Sequence, residues 1–294
     1  MKSPVIRVNG LSKFYGKTRG IEHIDLEVQE GEIFGFIGPN GAGKSTTIRI
    51  LLNLIFPTAG HAEIMGIDVT RDSRKIRQLT GYVPSDANAY RNMEAGEFLN
   101  FCMRFYGFND NPGLGTMADL FDLDLKRRIG DLSMGNRKKV SIIQSLLHNP
   151  KLLILDEPTT GLDPLMQARF FELLKSENTK GMTIFFSSHV LSEIQMLCKK
   201  VAIVKDGRII KVEDIDTLRR KQLKKVSILF KDKISAESFR IQGYDIAAVE
   251  IDNSLSFMYS GPIDDLLARL SGKNIDDLTI EEPSLEEIFM HYYQ

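Results

Sequence analysis

The segment Gly38-Pro-Asn-Gly-Ala-Gly-Lys-Ser-Thr46 follows directly on the apolar run Ile33-Phe-Gly-Phe-Ile37. Together they prescribe a buried strand, a glycine-rich turn and a helix, in that order. In GxxxxGK[ST] the turn built from Asn40, Gly41, Ala42 and Gly43 aims backbone N–H groups inward, as a cradle for the β- and γ-phosphates of a nucleotide. Lys44 adds a point charge, Ser45 offers a hydroxyl to Mg²⁺, and the helix entered at Thr46 directs its positive end at the anion. A pattern with so few fixed positions argues for nucleoside triphosphate binding and says nothing of the use made of it.

At 294 residues the chain exceeds what one core usually organises, so a large domain with a smaller appendage is expected. Net charge is −1, from 38 basic and 39 acidic residues, which gives no overall field to recruit nucleic acid or an anionic membrane. Cys102 and Cys198 are far apart without metal-ligand spacing, as expected of ordinary buried thiols in a reducing compartment. No apolar run approaches membrane-spanning length and residues 1–7 lack a leader's apolar region, so the chain itself is expected not to cross a membrane.

Short strands are predicted at 5–8, 24–28 and 33–37, a helix at 46–54 and a strand near 62–64. Helical periodicity dominates 90–148, where Phe98, Phe101, Cys102 and Phe105 recur at helical spacing. Parallel-sheet character returns at 152–155, 183–186 and 201–204, with a helix at 165–175 and a hairpin at Lys205-Asp-Gly-Arg208. Residues 214–225 read as a polar helical linker; a solvated face accounts for its cations more simply than a nucleic-acid or lipid contact. A separate small unit is expected at 222–294, with strands at 226–230 and 255–259, a helix from Pro262 to 270, and a capping box at Ser284-Leu-Glu-Glu287. The apolar stripe after that box, including Leu285 and Phe289, packs on the small unit or on another subunit.

The run Lys151-Leu-Leu-Ile-Leu-Asp-Glu-Pro158 is a buried strand ending in two carboxylates, at the sheet end where α/β folds place ligands. Neighbours on a strand face opposite ways, so the two acids are expected to divide the work. Asp156 would hold Mg²⁺ with Ser45, and Glu157 would polarise the water that attacks the γ-phosphorus. Phosphoryl transfer asks for little more than metal, positive charge and a placed nucleophile. A capped turn at Asp156-Glu-Pro158 is the plainer alternative. Leu132-Ser-Met-Gly-Asn136 opens a further helix and forms either a second anion site or a simple Ser133 N-cap. One nucleotide does not need two such sites from one polypeptide, which suggests two nucleotides sandwiched between two protomers.

With Thr160-Gly-Leu-Asp163 and Ser187-Ser-His189 added, the order of motifs resembles the ATP-binding subunit of an ATP-binding cassette (ABC) transporter over about residues 4–220. The resemblance implies a RecA-like α/β core with an antiparallel β subdomain and a helical subdomain at 90–148, an ABC ATPase domain at 1–220, and an accessory domain at 222–294. It implies Tyr15 stacked on adenine, His189 at the γ-phosphate, and Ser133, Gly135, Asn136 and Asp163 acting in trans on the partner's ATP. Adenine recognition by stacking agrees with the lack of an NKxD guanine-reading sequence. The implied function is ATP hydrolysis powering a membrane exporter at the cytoplasmic face of the cell membrane. The implied partners are a second copy and a separate transmembrane permease docked near residues 82–106, with no nucleic acid. The tail Glu282-Pro-Ser-Leu-Glu-Glu-Ile-Phe289 looks like that of bacterial ABC-2-type exporters, whose cargoes include drugs and antimicrobial or other amphipathic peptides.

Two positions depart from the family pattern. Ser85, in Gly81-Tyr-Val-Pro-Ser-Asp86, stands where the family has a Gln or Glu that reaches Mg²⁺ and links the site to the membrane subunit, and its hydroxyl is too short for that reach. The signature reads Leu-Ser-Met-Gly-Asn in place of Leu-Ser-Gly-Gly-Gln, while keeping Ser133 and Gly135. A soluble cassette acting on ribosomes or DNA would typically bring tandem cassettes or long coiled-coil arms, absent here. A non-hydrolysing regulatory module would be suggested by loss of Glu157 or His189, and both are present.

Overall fold

The computed structural model describes residues 4–86, 90–108, 113–220, 224–231, 244–251 and 254–281. They form two compact units, divided between Ile215 and Asp216.

In the larger unit, β1 (Ile6–Tyr15), β2 (Thr18–Val28), β4 (Ala59–Ile64) and β5 (Ile67–Asp68) form an antiparallel sheet in the order β2-β1-β4-β5. The central sheet runs β10-β9-β3-β8-β7-β6, from β3 (Ile33–Ile37), β6 (Thr80–Val83), β7 (Leu152–Asp156), β8 (Thr183–Ser188), β9 (Lys200–Lys205) and β10 (Arg208–Asp214). All neighbours from β6 to β9 pair parallel, and β10 folds back antiparallel on β9. Asp206 and Gly207 both have positive φ, 49° and 75°, the geometry a two-residue hairpin requires. Every residue of β3, β7 and β8 is buried, which is why these strands read as continuous apolar runs rather than alternating ones. Phe34, Phe36, Phe185 and Phe186 are fully buried there, each contributing about 1.5–3 kcal/mol.

The helices are α1 (Lys44–Leu51), α2 (Ser73–Leu79), α3 (Ala95–Arg104), α4 (Gly113–Leu120), α5 (Met134–Leu146), α6 (Pro164–Thr179), α7 (Leu191–Leu197) and α8 (Ile215–Arg220). Helices α3 to α5 fall within 90–148, where helical periodicity was expected. Two caps fix starts that matter for the site. Ser133 Oγ accepts from Asn136 N at 3.2 Å to open α5, and Asp163 accepts from Met166 N at 3.0 Å to open α6, with Pro164 at its first position.

The smaller unit has one antiparallel sheet, in the order β12-β13-β11-β14, from β11 (Lys224–Phe230), β12 (Tyr244–Ile251), β13 (Ser254–Tyr259) and β14 (Ile275–Glu281). Helix α9 (Ile263–Leu270) follows Pro262 and contributes Leu266 and Leu270 to a core with Val226, Ile228, Phe257 and Tyr259.

Several sequence expectations shift. Helix α1 begins at Lys44, ahead of Thr46, and Lys224 and Lys225 belong to a strand, not to a helical linker. Strands β12 and β14 were not foreseen. Cys102 is only half-buried, whereas Cys198 is fully so. The capping box at Ser284 and the stripe after it lie outside the described residues.

Candidate active site

The ends of β3, β7 and β8 and the start of α1 assemble the site. Gly38 can have no side chain, since a Cβ there would sit 2.4 Å from the Val204 carbonyl oxygen. Gly43 caps α1 with φ 104°, in the left-handed region that favours glycine. No side chain caps that helix, so the first-turn N–H groups of Lys44, Ser45 and Thr46 have no intrahelical acceptor and face the loop's concavity. Lys44 is buried, and its Nζ donates to the carbonyls of Gly38 at 2.7 Å and Pro39 at 3.1 Å, which ties the loop to the helix that follows it.

Asp156 and Glu157 do have different surroundings, for a reason other than strand alternation. Asp156 is the last residue of β7, whereas Glu157 has already left the strand with φ 48°. A left-handed conformation at a glutamate costs on the order of 1 kcal/mol or more. It turns the carboxylate across the sheet end, where Oε1 lies 3.2 Å from Lys44 Nζ and Oε2 lies 3.2 Å from His189 Nδ1. Asp156 is 1% exposed. Its Oδ1 accepts from Ser187 Oγ at 2.9 Å, and its Oδ2 has no partner. Burial pushes the Asp156 carboxyl up, while the neighbouring Ser45 and Ser187 hydroxyls pull it back and Glu157 adds to the rise. A buried carboxylate oxygen without a donor, beside a serine hydroxyl, suits a hard divalent cation.

Tyr15 ends β1 beside the P-loop. Its ring packs so closely on Gly20 that a Cβ there would lie 2.8 Å from Tyr15 Cε2 and 3.3 Å from Thr46 Cγ2. The ring is otherwise open, with Lys13 Nζ 5.3 Å from its centroid, a geometry ready for stacking. Ser133, Gly135, Asn136 and Asp163 form a different cluster. No hydrogen bond or ion pair among the described residues joins them to Gly38–Thr46. Gly135 instead abuts the chain's own Thr160–Asp163 loop, where a Cβ would lie 2.4 Å from the Gly161 carbonyl oxygen.

Ser85 is partly exposed, and the structure engages its main chain. Lys138, on α5 and 1% exposed, donates from Nζ to the carbonyls of Ser85 at 2.7 Å, Pro84 at 2.9 Å and Glu157 at 3.3 Å. Burial lowers the Lys138 pKa, and the carboxylates of Asp156, Asp86 and Glu157 oppose that shift. Sequence reasoning passed over this lysine. The available signal was its register, since Lys138, Ile142 and Leu146 share one helix face and all three are buried. Next to Pro84 opens a groove of about 620 Å³ lined by Tyr90, Phe98, Phe101, Phe105 and Tyr106. Phe105 is 71% exposed and Tyr90 64%. Tyr90 meets Phe101 edge-on with centroids 6.2 Å apart, and Phe101 meets Phe105 likewise at 5.1 Å.

Residues 21–160 match the ABC transporter family. Over 98% of its length the chain is 33% identical to the bacitracin transport ATP-binding protein BcrA of Bacillus licheniformis, covering 97% of that protein. It is 28% identical to the linearmycin resistance ATP-binding protein LnrL of Bacillus subtilis (strain 168), at the same two coverages. Among solved structures, an ATP-binding subunit of an ABC transporter superposes with a TM-score of 0.69 at 30% identity, over 74% of this chain and 92% of that one. The chain belongs to the ABC transporter family, as one of its ATPase cassettes.

Proposed function

We propose that two copies of this chain close over two ATP molecules and that the closure drives a membrane exporter. The observation that carries the reading is the meeting of Lys44, Glu157 and His189 from three segments of the sheet end, beside an Asp156 oxygen that lacks a donor. Tyr15 stacks on adenine, and Asn40, Gly41, Ala42, Gly43, Lys44, Ser45 and Thr46 cradle the phosphates. Glu157 polarises the attacking water and draws its proton, while His189 contacts the γ-phosphate. Ser45 and Asp156 would hold Mg²⁺, with Ser85 as a short third candidate. The ion would neutralise charge on the transferred phosphoryl group. Ser133, Gly135, Asn136 and Asp163 of the second copy cover the nucleotide.

Among the described residues no helix is long and apolar enough to cross a membrane, so the reading needs a separate permease. The exposed aromatic groove beside Pro84 supports docking there, on the cytoplasmic face of the membrane. Relatives named for bacitracin transport and linearmycin resistance favour a drug or amphipathic peptide as cargo. We assign the ATPase cassette to 1–220 and an accessory domain to 222–294.

The test is Glu157→Gln. Phosphate release is expected to fall by roughly 10² to 10⁴, the usual worth of a placed base, with ATP binding retained and an ATP-dependent dimer accumulating on a sizing column. Unchanged turnover would remove Glu157 from its role. Co-purification with a membrane-spanning subunit, followed by cargo-stimulated ATPase measurements, tests the exporter.

A further inference from the structure

Lys138 takes no part in the chemistry described above, yet it is among the largest fully buried side chains of the molecule. An ammonium has three N–H donors and is costly to bury unless all are used. Here three main-chain carbonyls meet it, and they belong to the ends of two neighbouring parallel strands. Pro84 and Ser85 follow β6, Glu157 follows β7, and the two strands pair in register from Thr80 with Leu152 to Val83 with Leu155. One wall of the aromatic groove is Pro84 itself. The Glu157 main chain is held in a left-handed conformation that sets the direction of its carboxylate. The lysine stands on α5, whose N-terminus carries Ser133.

We infer that Lys138 is a positioning residue, whose ammonium ties the groove wall at Pro84, and Ser85 next to it in the chain, to the main chain of Glu157, so that displacement of the wall redirects the carboxylate. A serine at position 85 then suffices, because the link passes through carbonyls and not through the side chain. The acceptors and the lysine lie 53 and 54 residues apart in sequence for the groove wall and 19 for Glu157, so the clamp ties the loops that leave two paired strands to a helix distant from the first of them in sequence. This role presupposes Glu157 as the residue that activates water.

The experiment is steady-state and single-turnover ATP hydrolysis by the full chain carrying Lys138→Met, which keeps the length of the stem and removes every donor. The turnover number is expected to fall at least about tenfold, with KM for ATP changed less than about twofold, since residues acting through one another are not additive. In a Glu157→Gln background the same substitution is expected to cost less than about twofold, because the carboxylate it orients is already gone. Lys138→Arg, which restores donors and charge, is expected to recover part of the loss. Equal costs in the two backgrounds, a raised KM at full turnover number, or no cost at all would overturn the role. If Lys138→Met does not melt cooperatively, Lys138→Gln, which retains two donors, is measured by the same criteria. Wild-type turnover in Glu157→Gln alone would overturn the reading of Glu157 itself, and this role with it.

Discussion

At the scale of single residues the site buries the Asp156 carboxyl where its charge is disfavoured. The folded-state pKa of that carboxyl is raised by burial, so the ionised form is disfavoured relative to the unfolded chain. Such a group favours folding fully only below its unfolded value, about 3.9, and that contribution is lost as pH rises through the folded value. At neutral pH the bare carboxylate is therefore a net cost. Asp156→Asn is expected to raise the melting temperature at pH 7 without nucleotide or Mg²⁺, by about 2–4 °C for each kcal/mol recovered, while hydrolysis is lost. The gain should shrink as pH falls through the raised folded value, where the wild-type carboxyl becomes protonated. A melting temperature lowered at pH 7, or a difference independent of pH, would contradict this account. Asp156 and Glu157 were legible in the sequence as a pair, because two acids closing a buried apolar run are costly to place anywhere but at a sheet end that uses their charge. Nothing in the sequence showed that Glu157 is turned by φ 48° rather than by strand alternation, since side-chain identity does not encode that departure from the strand.

Among the elements, those with strict periodicity were the legible ones. Strands β3, β7 and β8 read as largely apolar runs because helices and sheet bury both faces, and α5 announced its start through Ser133, whereas the cap of α6 at Asp163, with Pro164 at its first position, is seen only in the structure. Strand β14 did not, because Asp276 and Asp277 interrupt the alternation of Ile275, Leu278 and Ile280, and pairing with β11 decides its state. Lys138 was opaque for a related reason: its acceptors are carbonyls, which every residue has. The aromatic stripe on α3 was legible as a helix face, but periodicity alone does not distinguish core from surface. Phe98 is buried, whereas Phe105, at the end of the same stripe, is mostly exposed. That split makes the groove testable. Phe105→Glu places a charge on an open aromatic rim and is expected to change stability by no more than about 0.5 kcal/mol, as for other surface substitutions. If the groove receives the permease, the variant should lose co-purification with the membrane subunit. Retained co-purification would move the docking surface elsewhere.

For the whole molecule the decisive question is whether a site is completed by one chain or by two. Within this chain, Gly135 packs on the Gly161 carbonyl and Ser133 caps its own helix, so neither is spent on the P-loop of the same chain. Closed two-fold symmetry lets one surface serve both roles, each copy presenting a P-loop and a signature to the other. A shared site would have a numerical consequence. Ser133→Asp keeps the cap, since Asp and Ser rank together at that position, but it opposes a carboxylate to the partner's phosphates. Glu157→Gln leaves the signature intact and disables its own P-loop half. Each variant alone is expected to hydrolyse ATP at about 1% of the wild-type rate or less. Mixed in equal amounts, half of randomly paired dimers contain one of each, and each mixed dimer holds one intact site of its two. Activity should therefore rise well above that of either parent, to at most about one quarter of wild type, since Glu157→Gln chains held together by ATP pair less than randomly, and should rise with protein concentration as dimers form. A mixture no more active than the sum of its parents would mean that each chain completes its own site, and closure of two copies over ATP would no longer be the source of work.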